Sequence, residues 1–255
     1  MKSMLLPVDQ NEQMLSAFET ARLAANILEG QVEGAALAPA SMENEVDYSK
    51  RMRRTFDEYA ARHSPDPAQP ARFRWRGDSV IQDAALGSLT RVYDVTVLNR
   101  PGARGGRMSA LENALFESGR PVLMAPPSPP TSLGQTVVIH WNASTEVSRA
   151  ISMAMPILRK AKRVVVLSVE GSMVPGPSGQ DAVMHLKCHD IAASEKSVSN
   201  RGQRPGAVLL AEAKAQGADL LIKGAYTQSR LRQMIFGGAT QHVIAAAELP
   251  VFLVD

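Results

Sequence analysis

Short apolar runs alternate along the chain with longer stretches in which apolar residues recur every three or four positions. The run Arg163–Val169 predicts a buried strand, because it is short and rich in β-branched residues. The periodic stretches 14–28 and 146–161 predict amphipathic helices. Strands that alternate with helices in this way indicate an α/β fold, in which helices cover parallel sheets.

The same order of elements occurs twice. Residues 4–9 and 136–142 each form an apolar opening strand, and both halves continue as β-α-β-α-β-α-β-α-β. The proline-rich, uncharged stretch 126–134 separates the halves and is typical of a linker. The pattern therefore predicts two tandem domains, residues 1–127 and 134–255, each built on a five-stranded, doubly wound parallel sheet of the Rossmann-like kind.

The 255 residues are 45% hydrophobic and 21% charged, which is the composition of a globular protein. No apolar run is long enough to span a bilayer. The single cysteine, Cys188, excludes an intrachain disulfide and fits a reducing compartment, so we expect a cytoplasmic protein. The formal net charge is only +3 and there is no basic tail, so we expect neither a nucleic-acid partner nor a membrane partner.

Glycines mark a candidate phosphate site in the second half. Gly224 follows the apolar run 219–223, and the pair Gly237-Gly238 comes shortly before a predicted helix that begins near Gln241. Glycine lets a ligand approach the backbone, and the free N–H groups at a helix start attract anions. We expect backbone N–H groups at Gly237, Gly238, Ala239 and Thr240 to face the anion, with the Thr240 hydroxyl as a further donor.

This layout resembles the universal stress protein family in its tandem form. The nucleotide motif of that family is Gly-x2-Gly-x9-Gly-(Ser/Thr) after the fourth strand, and the four positions hold Gly224, Thr227, Gly237 and Gly238 in this chain. The resemblance implies the strand order 3-2-1-4-5 in each domain and a bound adenine nucleotide, ATP or a related one, with Mg²⁺ at most as its companion. Thr227 departs from the pattern, because a β-branched residue disfavours positive φ.

The family's second determinant is an aspartate at the end of the first strand. Asp9 holds that position in the first half and Asn142 in the second, so the half with the aspartate lacks the glycine motif. The resemblance also implies that Val169 and Lys223 lie beside the adenine. The alternative explanation is that the glycines only shape a tight loop and its packing against a helix.

The first half shows a weaker motif. Its fourth strand is followed by Asn99-Arg-Pro-Gly102, and we expect no glycine pair to open the next helix before Ala110. Pro101 also removes a backbone N–H where a phosphate loop needs one. We therefore expect the first domain to have lost nucleotide binding.

Other candidate chemistry is weaker still. His185, Cys188 and His189 have helical spacing but no evident fourth ligand, so we favour an ordinary helix face over a metal site. His140 and Trp141 lie on an apolar strand, which favours a hydrogen-bonded histidine and a packed tryptophan. No phosphate-activating loop or nucleophile elbow is present, so we expect no enzyme, with at most slow incidental ATP hydrolysis.

The resemblance implies a stress-response sensor or regulator that works through partners. The alternative is an interaction module or chaperone-like scaffold that needs no nucleotide. Family members pair through their last strands, so we expect the strands near 122–124 and 251–254 to join the two domains as an intramolecular pseudo-dimer. A further homodimer is compatible with the sequence.

Overall fold

The computed structural model describes residues 1–39, 44–63, 72–225 and 238–255. The chain divides into two compact units, Met1–Pro129 and Pro130–Asp255, and the division falls inside the proline-rich stretch. Among the described residues, no helix is both long enough and apolar enough to cross a membrane.

The first unit is an α/β layer structure. Its strands are all parallel and lie in the order β3-β2-β1-β4-β5. Its elements in chain order are β1 (Ser3–Val8), α1 (Met14–Leu28), β2 (Gln31–Ala36), α2 (Glu45–His63), β3 (Phe73–Trp75), α3 (Asp83–Leu89), a short 3-10 helix (Thr90–Val92), β4 (Val95–Asn99), α4 (Met108–Glu117) and β5 (Val122–Ala125).

The second unit repeats this plan. Its parallel strands lie in the order β8-β7-β6-β9-β10. Its elements are β6 (Thr136–His140), α5 (Thr145–Leu158), β7 (Arg163–Val169), α6 (Gly179–Lys187), β8 (Ala193–Val198), α7 (Pro205–Ala215), β9 (Leu220–Gly224), α8 (Ala239–Ala246) and β10 (Val251–Val254).

Burial explains why the central strands read as continuous apolar runs. Every residue of β7 after Arg163 is buried, and all five residues of β9 are buried, because helices cover both faces of a parallel sheet. Strand β8 is an edge strand of its unit, and each of its residues is exposed or half-buried. The expected α/β class, with a parallel sheet flanked by helices, is confirmed.

The topology creates one crevice in each unit. Strands β1 and β4 are neighbours in the first unit, and β6 and β9 are neighbours in the second. The chain leaves such a pair of strands toward opposite sides, so a crevice opens at their carboxyl ends, which is where doubly wound sheets bind ligands. His140 and Lys223 are register partners at this end of β6 and β9.

Candidate functional site

Asn142 helps to start the helix that follows β6. Its side-chain oxygen accepts a 3.4 Å hydrogen bond from the backbone N–H of Ser144, and its carbonyl accepts one of 3.0 Å from Val174. The Ser144 hydroxyl in turn accepts from the backbone N–H of Val147, which caps α5. Asn142 is therefore buried in the turn between β6 and α5. The first residues of α5 in turn contact the end of β9.

Lys223 is the most heavily buried charged residue of the crevice, with 2% of its surface exposed. Its Nζ donates to the carbonyl oxygen of Gly224 at 2.7 Å and to the Thr240 hydroxyl at 2.8 Å. Thr240 lies in the first turn of α8. The lysine thus joins the end of β9 to the start of α8, the two places where the sequence predicts phosphate contacts.

Burial sets the direction of the pKa shift for Lys223 and His140. It lowers the pKa of Lys223 to about 7, and the attraction of Glu146 only partly opposes that effect. Burial also lowers the pKa of His140 well below its usual value, and the nearby Lys223 adds to the shift. For Glu146, burial acts to raise the pKa, but hydrogen bonds from its own backbone, Ser144 and Thr145 outweigh it, and the net shift is downward.

Two buried atoms of the cluster lack hydrogen-bond partners within the described part of the chain. They are Nδ1 of His140 and Oε2 of Glu146. The Ser172 hydroxyl donates to the carbonyl of Val169 at 2.7 Å and lies 3.1 Å from Nε2 of His140, so Nε2 must be the protonated ring nitrogen. Nδ1 is then an acceptor without a donor. His140 is buried and hydrogen-bonded through Nε2, as its place on an apolar strand predicts.

Gly224 has a packing reason to be glycine. A Cβ at this position would lie 2.5 Å from the backbone nitrogen of Val147 and 2.8 Å from the Cβ of Glu146. The end of β9 thus touches the first turn of α5 directly. This contact corresponds to the alternative explanation drawn from the sequence, in which the glycine serves helix packing.

Val169 is the last residue of β7 and Lys223 is the next-to-last residue of β9, and these two strands flank β6. Val169 is fully buried, and the loop after it folds back over the end of β6. A Cβ on Gly176 of this loop would lie 2.9 Å from the Cβ of Ala143. The loop therefore covers the turn that contains Asn142.

The described residues of the motif lie at the end of β9 and at the start of α8. Gly238 is the N-cap of α8, with φ −59° and ψ 163°, and Ala239 and Thr240 open the helix. Helix α8 begins two residues before the predicted start at Gln241. The Thr240 hydroxyl accepts from Lys223, a contact that the sequence did not predict. Thr227 and Gly237 lie outside the described residues. We define the second-unit site as Asn142, Glu146, Lys223, Gly224, Gly238, Ala239 and Thr240.

Asp9 at the crevice of the first unit contacts side chains of its own unit, and it also lines a cavity of about 420 Å³ together with Asn11 and Arg51. Oδ1 of Asp9 accepts from the backbone N–H of Asn11 at 3.1 Å and also from its side-chain amide. Nη1 of Arg107 lies 3.9 Å from Asp9, while its Nε donates to Asp83 at 2.9 Å. Burial raises the pKa of Asp9, and the bonds from Asn11 and the charge of Arg107 oppose that shift.

The loop after β4 corrects one expectation from the sequence. A glycine pair, Gly105-Gly106, does precede α4, so the expectation that none occurs before Ala110 is wrong. The loop folds back on itself: Gly106 donates to Arg100 O at 3.0 Å. A Cβ on Gly106 would lie 2.5 Å from Asn99 O, so this glycine serves a tight turn within the chain.

Sequence reasoning missed three residues that take part in the two crevices. Arg107 and Asp83 belong to the first crevice, and Glu146 belongs to the second. Glu146 carries a usable signal, because an acidic residue two positions after a capping serine marks a helix start. The pairing of Arg107 with Asp83 has no local signal, since it joins α3 to the N-cap of α4.

The remaining candidates stay outside the crevice. The rings of His185 and His189 lie 5.0 Å apart, and within the residues that the structure describes no three His, Cys, Asp or Glu side chains form a metal-binding group. Trp141 is buried, and its indole N–H donates to Pro177 O at 3.0 Å. It packs as expected, beside a cavity of about 210 Å³ between α5 and α6.

Two parallel, doubly wound units, each with polar groups where its first and fourth strands meet, define the class of Rossmann-like α/β proteins. Residues 170–255 match the model of the Universal stress protein family. No curated protein matches the chain.

Solved structures share the fold over the whole length. A universal stress protein from Archaeoglobus fulgidus superposes with a TM-score of 0.74 at 17% identity, covering 99% of this chain and 96% of that one. A candidate universal stress protein from Pseudomonas aeruginosa gives 0.62 at 12% identity, covering 100% and 93%. The cytoplasmic domain of a prokaryotic cation chloride cotransporter gives 0.53 at 13%, covering 99% and 94%.

These findings confirm the resemblance to the universal stress protein family. The family match itself is confined to the second unit, and the structural likenesses extend the fold, and only the fold, to the first.

Proposed function

We propose that this protein is a stress-response sensor or regulator that binds an adenine nucleotide, ATP or a related one, at the second-unit site. It acts through partners and is not an enzyme. The expected pairing of its two domains, a further homodimer and a cytoplasmic location belong to the same proposal.

One observation carries the proposal: Lys223 binds the start of α8 at the switch point of a doubly wound sheet. A lysine amine, a helix N-terminus and a glycine N-cap at one place suit a phosphate chain. Two buried acceptors nearby, on His140 and Glu146, have no donor in the described part of the chain. Buried polar atoms of that kind are normally satisfied by water or by a ligand.

Replacing Gly238 with phenylalanine tests the proposal. The side chain would stand at the N-cap of α8, where the phosphate chain is proposed to lie, so we expect calorimetric titration with Mg-ATP to show at least a tenfold weaker affinity. Gly102→Phe is the matched control, because a Cβ on Gly102 meets nothing within 4 Å and the residue lies in the first unit. A flat titration of the wild-type protein at millimolar ATP would contradict the proposal.

A second candidate is an interaction module that needs no nucleotide. The packing of Gly224 against the first turn of α5 favours it. Fold alone does not decide, since a similar fold forms the cytoplasmic domain of a cation chloride cotransporter. In this case Gly238→Phe would leave the protein's stress phenotype intact, whereas a nucleotide sensor would lose ligand and phenotype together.

A further inference from the structure

A lysine amine needs a reason to lie among apolar strands. Lys223 is 2% exposed, and its Nζ donates to two neutral oxygens, Gly224 O and Oγ1 of Thr240. No carboxylate of the described residues lies within ion-pairing distance of its Nζ. An amine with two hydrogen bonds to neutral acceptors is satisfied as well when neutral as when charged, so these hydrogen bonds do not fix its proton.

The position of the amine is as unusual as its environment. Nζ donates to the hydroxyl of Thr240, the second residue of α8, so the amine lies beside the first turn of this helix. A negative charge placed at that helix start would therefore face both the helix dipole and the ammonium form of Lys223. A neutral molecule at the same place would gain nothing from the proton.

We propose that Lys223 makes the second-unit site select an anionic ligand, and that binding of a phosphate chain fixes a proton on the Lys223 amine. This inference rests on the proposed function and goes beyond it, because it names the residue that separates a nucleotide from its nucleoside and couples binding to pH.

Among the residues that the structure describes, the ionisable groups that face Lys223 fit this assignment. From β6, His140 stays neutral because burial and Lys223 lower its pKa. From α5, Glu146 attracts the ammonium form, and Arg149 lies 3.6 Å from Glu146 and moderates that attraction. From α8 the contacting group is the Thr240 hydroxyl, and from β10 the register partner is Leu253, neither of which titrates. Among the described groups of this cluster, Lys223 is therefore the one that gains or loses a proton near neutral pH.

Proton uptake during binding tests the proposal. The probes are ATP and adenosine, titrated into the full chain at pH 8 in HEPES and in Tris, whose ionisation enthalpies differ. The phosphates of ATP are already ionised at this pH, so uptake reports on the protein. We expect nearly one proton per ATP, since an amine with a pKa of about 7 is largely neutral at pH 8, and none per adenosine.

Two variants assign the proton. Lys223→Met should abolish the uptake and reduce the preference for ATP over adenosine at least tenfold. Lys214→Met, which removes an exposed lysine of α7, should change neither. Because Lys223→Met could disturb folding, the wild-type protein supplies a second readout. Its affinity for ATP should fall about fivefold from pH 7 to pH 8, where the phosphates are largely ionised, while that for adenosine stays level.

The outcomes separate the two proposals. ATP binding without proton uptake, or uptake that persists in Lys223→Met, overturns the role of Lys223 and leaves nucleotide binding standing. Equal affinities for ATP and adenosine at every pH do the same. An absence of heat with either ligand at any pH overturns the proposed function and this inference together.

Discussion

The amine of Lys223 lies where a charge is costly, because apolar strands and two helix starts surround it. Its hydrogen bonds to Gly224 and Thr240 replace only part of the water that it loses on folding. The sequence showed a lysine at the end of an apolar strand and could not show this contact, since residues 223 and 240 meet only in the folded chain. The family motif predicted a site at this position, and the structure shows the two hydrogen bonds that the amine makes there.

Stability should depend on pH through Lys223. Its pKa is about 7 in the folded protein and about 10.5 in an unfolded chain, so the unfolded chain binds more protons between these values. The free energy of unfolding therefore rises from pH 7 to pH 10 by an amount on the order of a few kcal/mol, and below pH 7 the penalty is fully present.

Urea unfolding at several pH values from 7 to 10 measures this effect against Lys223→Met. We expect the wild-type protein to gain stability relative to the variant as the pH rises. His140 does not contribute in this window, because its lowered pKa confines its titration to pH values below about 6.5. Parallel curves for the two proteins would show that Lys223 keeps its ordinary pKa.

At the scale of elements, the contact between β9 and α5 positions the site. Gly224 touches Val147 and Glu146 in the first turn of α5, and the same turn is capped by Ser144. The periodic pattern placed α5 within one residue at its start, and it placed α1 and β7 at their observed bounds. It missed the start of α8 by two residues, because glycine and alanine before Gln241 carry no apolar period.

Gly224→Ala should be costly. The new Cβ would lie 2.5 Å from a backbone nitrogen that cannot move without displacing α5, so we expect a loss of about 2–3 kcal/mol in the free energy of unfolding. Gly102→Ala has open space and serves as the control, with a change within about 0.5 kcal/mol. Equal effects of the two substitutions in urea unfolding would mean that the tight contact at Gly224 is not real.

At the level of the whole molecule, the two units share the same order of strands, but different side chains lie at their crevices. The first carries the family's aspartate but surrounds Asp9 with Asn11 and Arg107, and its loop after β4 is tight and closed. The second unit has Asn142 at the position of the aspartate, and it has the buried Lys223. The repeat of elements and the fold class could be predicted from the pattern of strands and helices, whereas the glycine pair before α4 was missed. The contacts of Arg107 with Asp83 and Asp9 could not be predicted, because these residues are distant in the chain.

Hydrogen–deuterium exchange with and without Mg-ATP locates a nucleotide bound at the second-unit site without any substitution. We predict slower exchange at the start of α8, residues 238–242, and at the start of α5, residues 143–147, with no change in residues 100–110 of the first unit. Protection confined to the first unit, or none anywhere at millimolar ATP, would contradict the account.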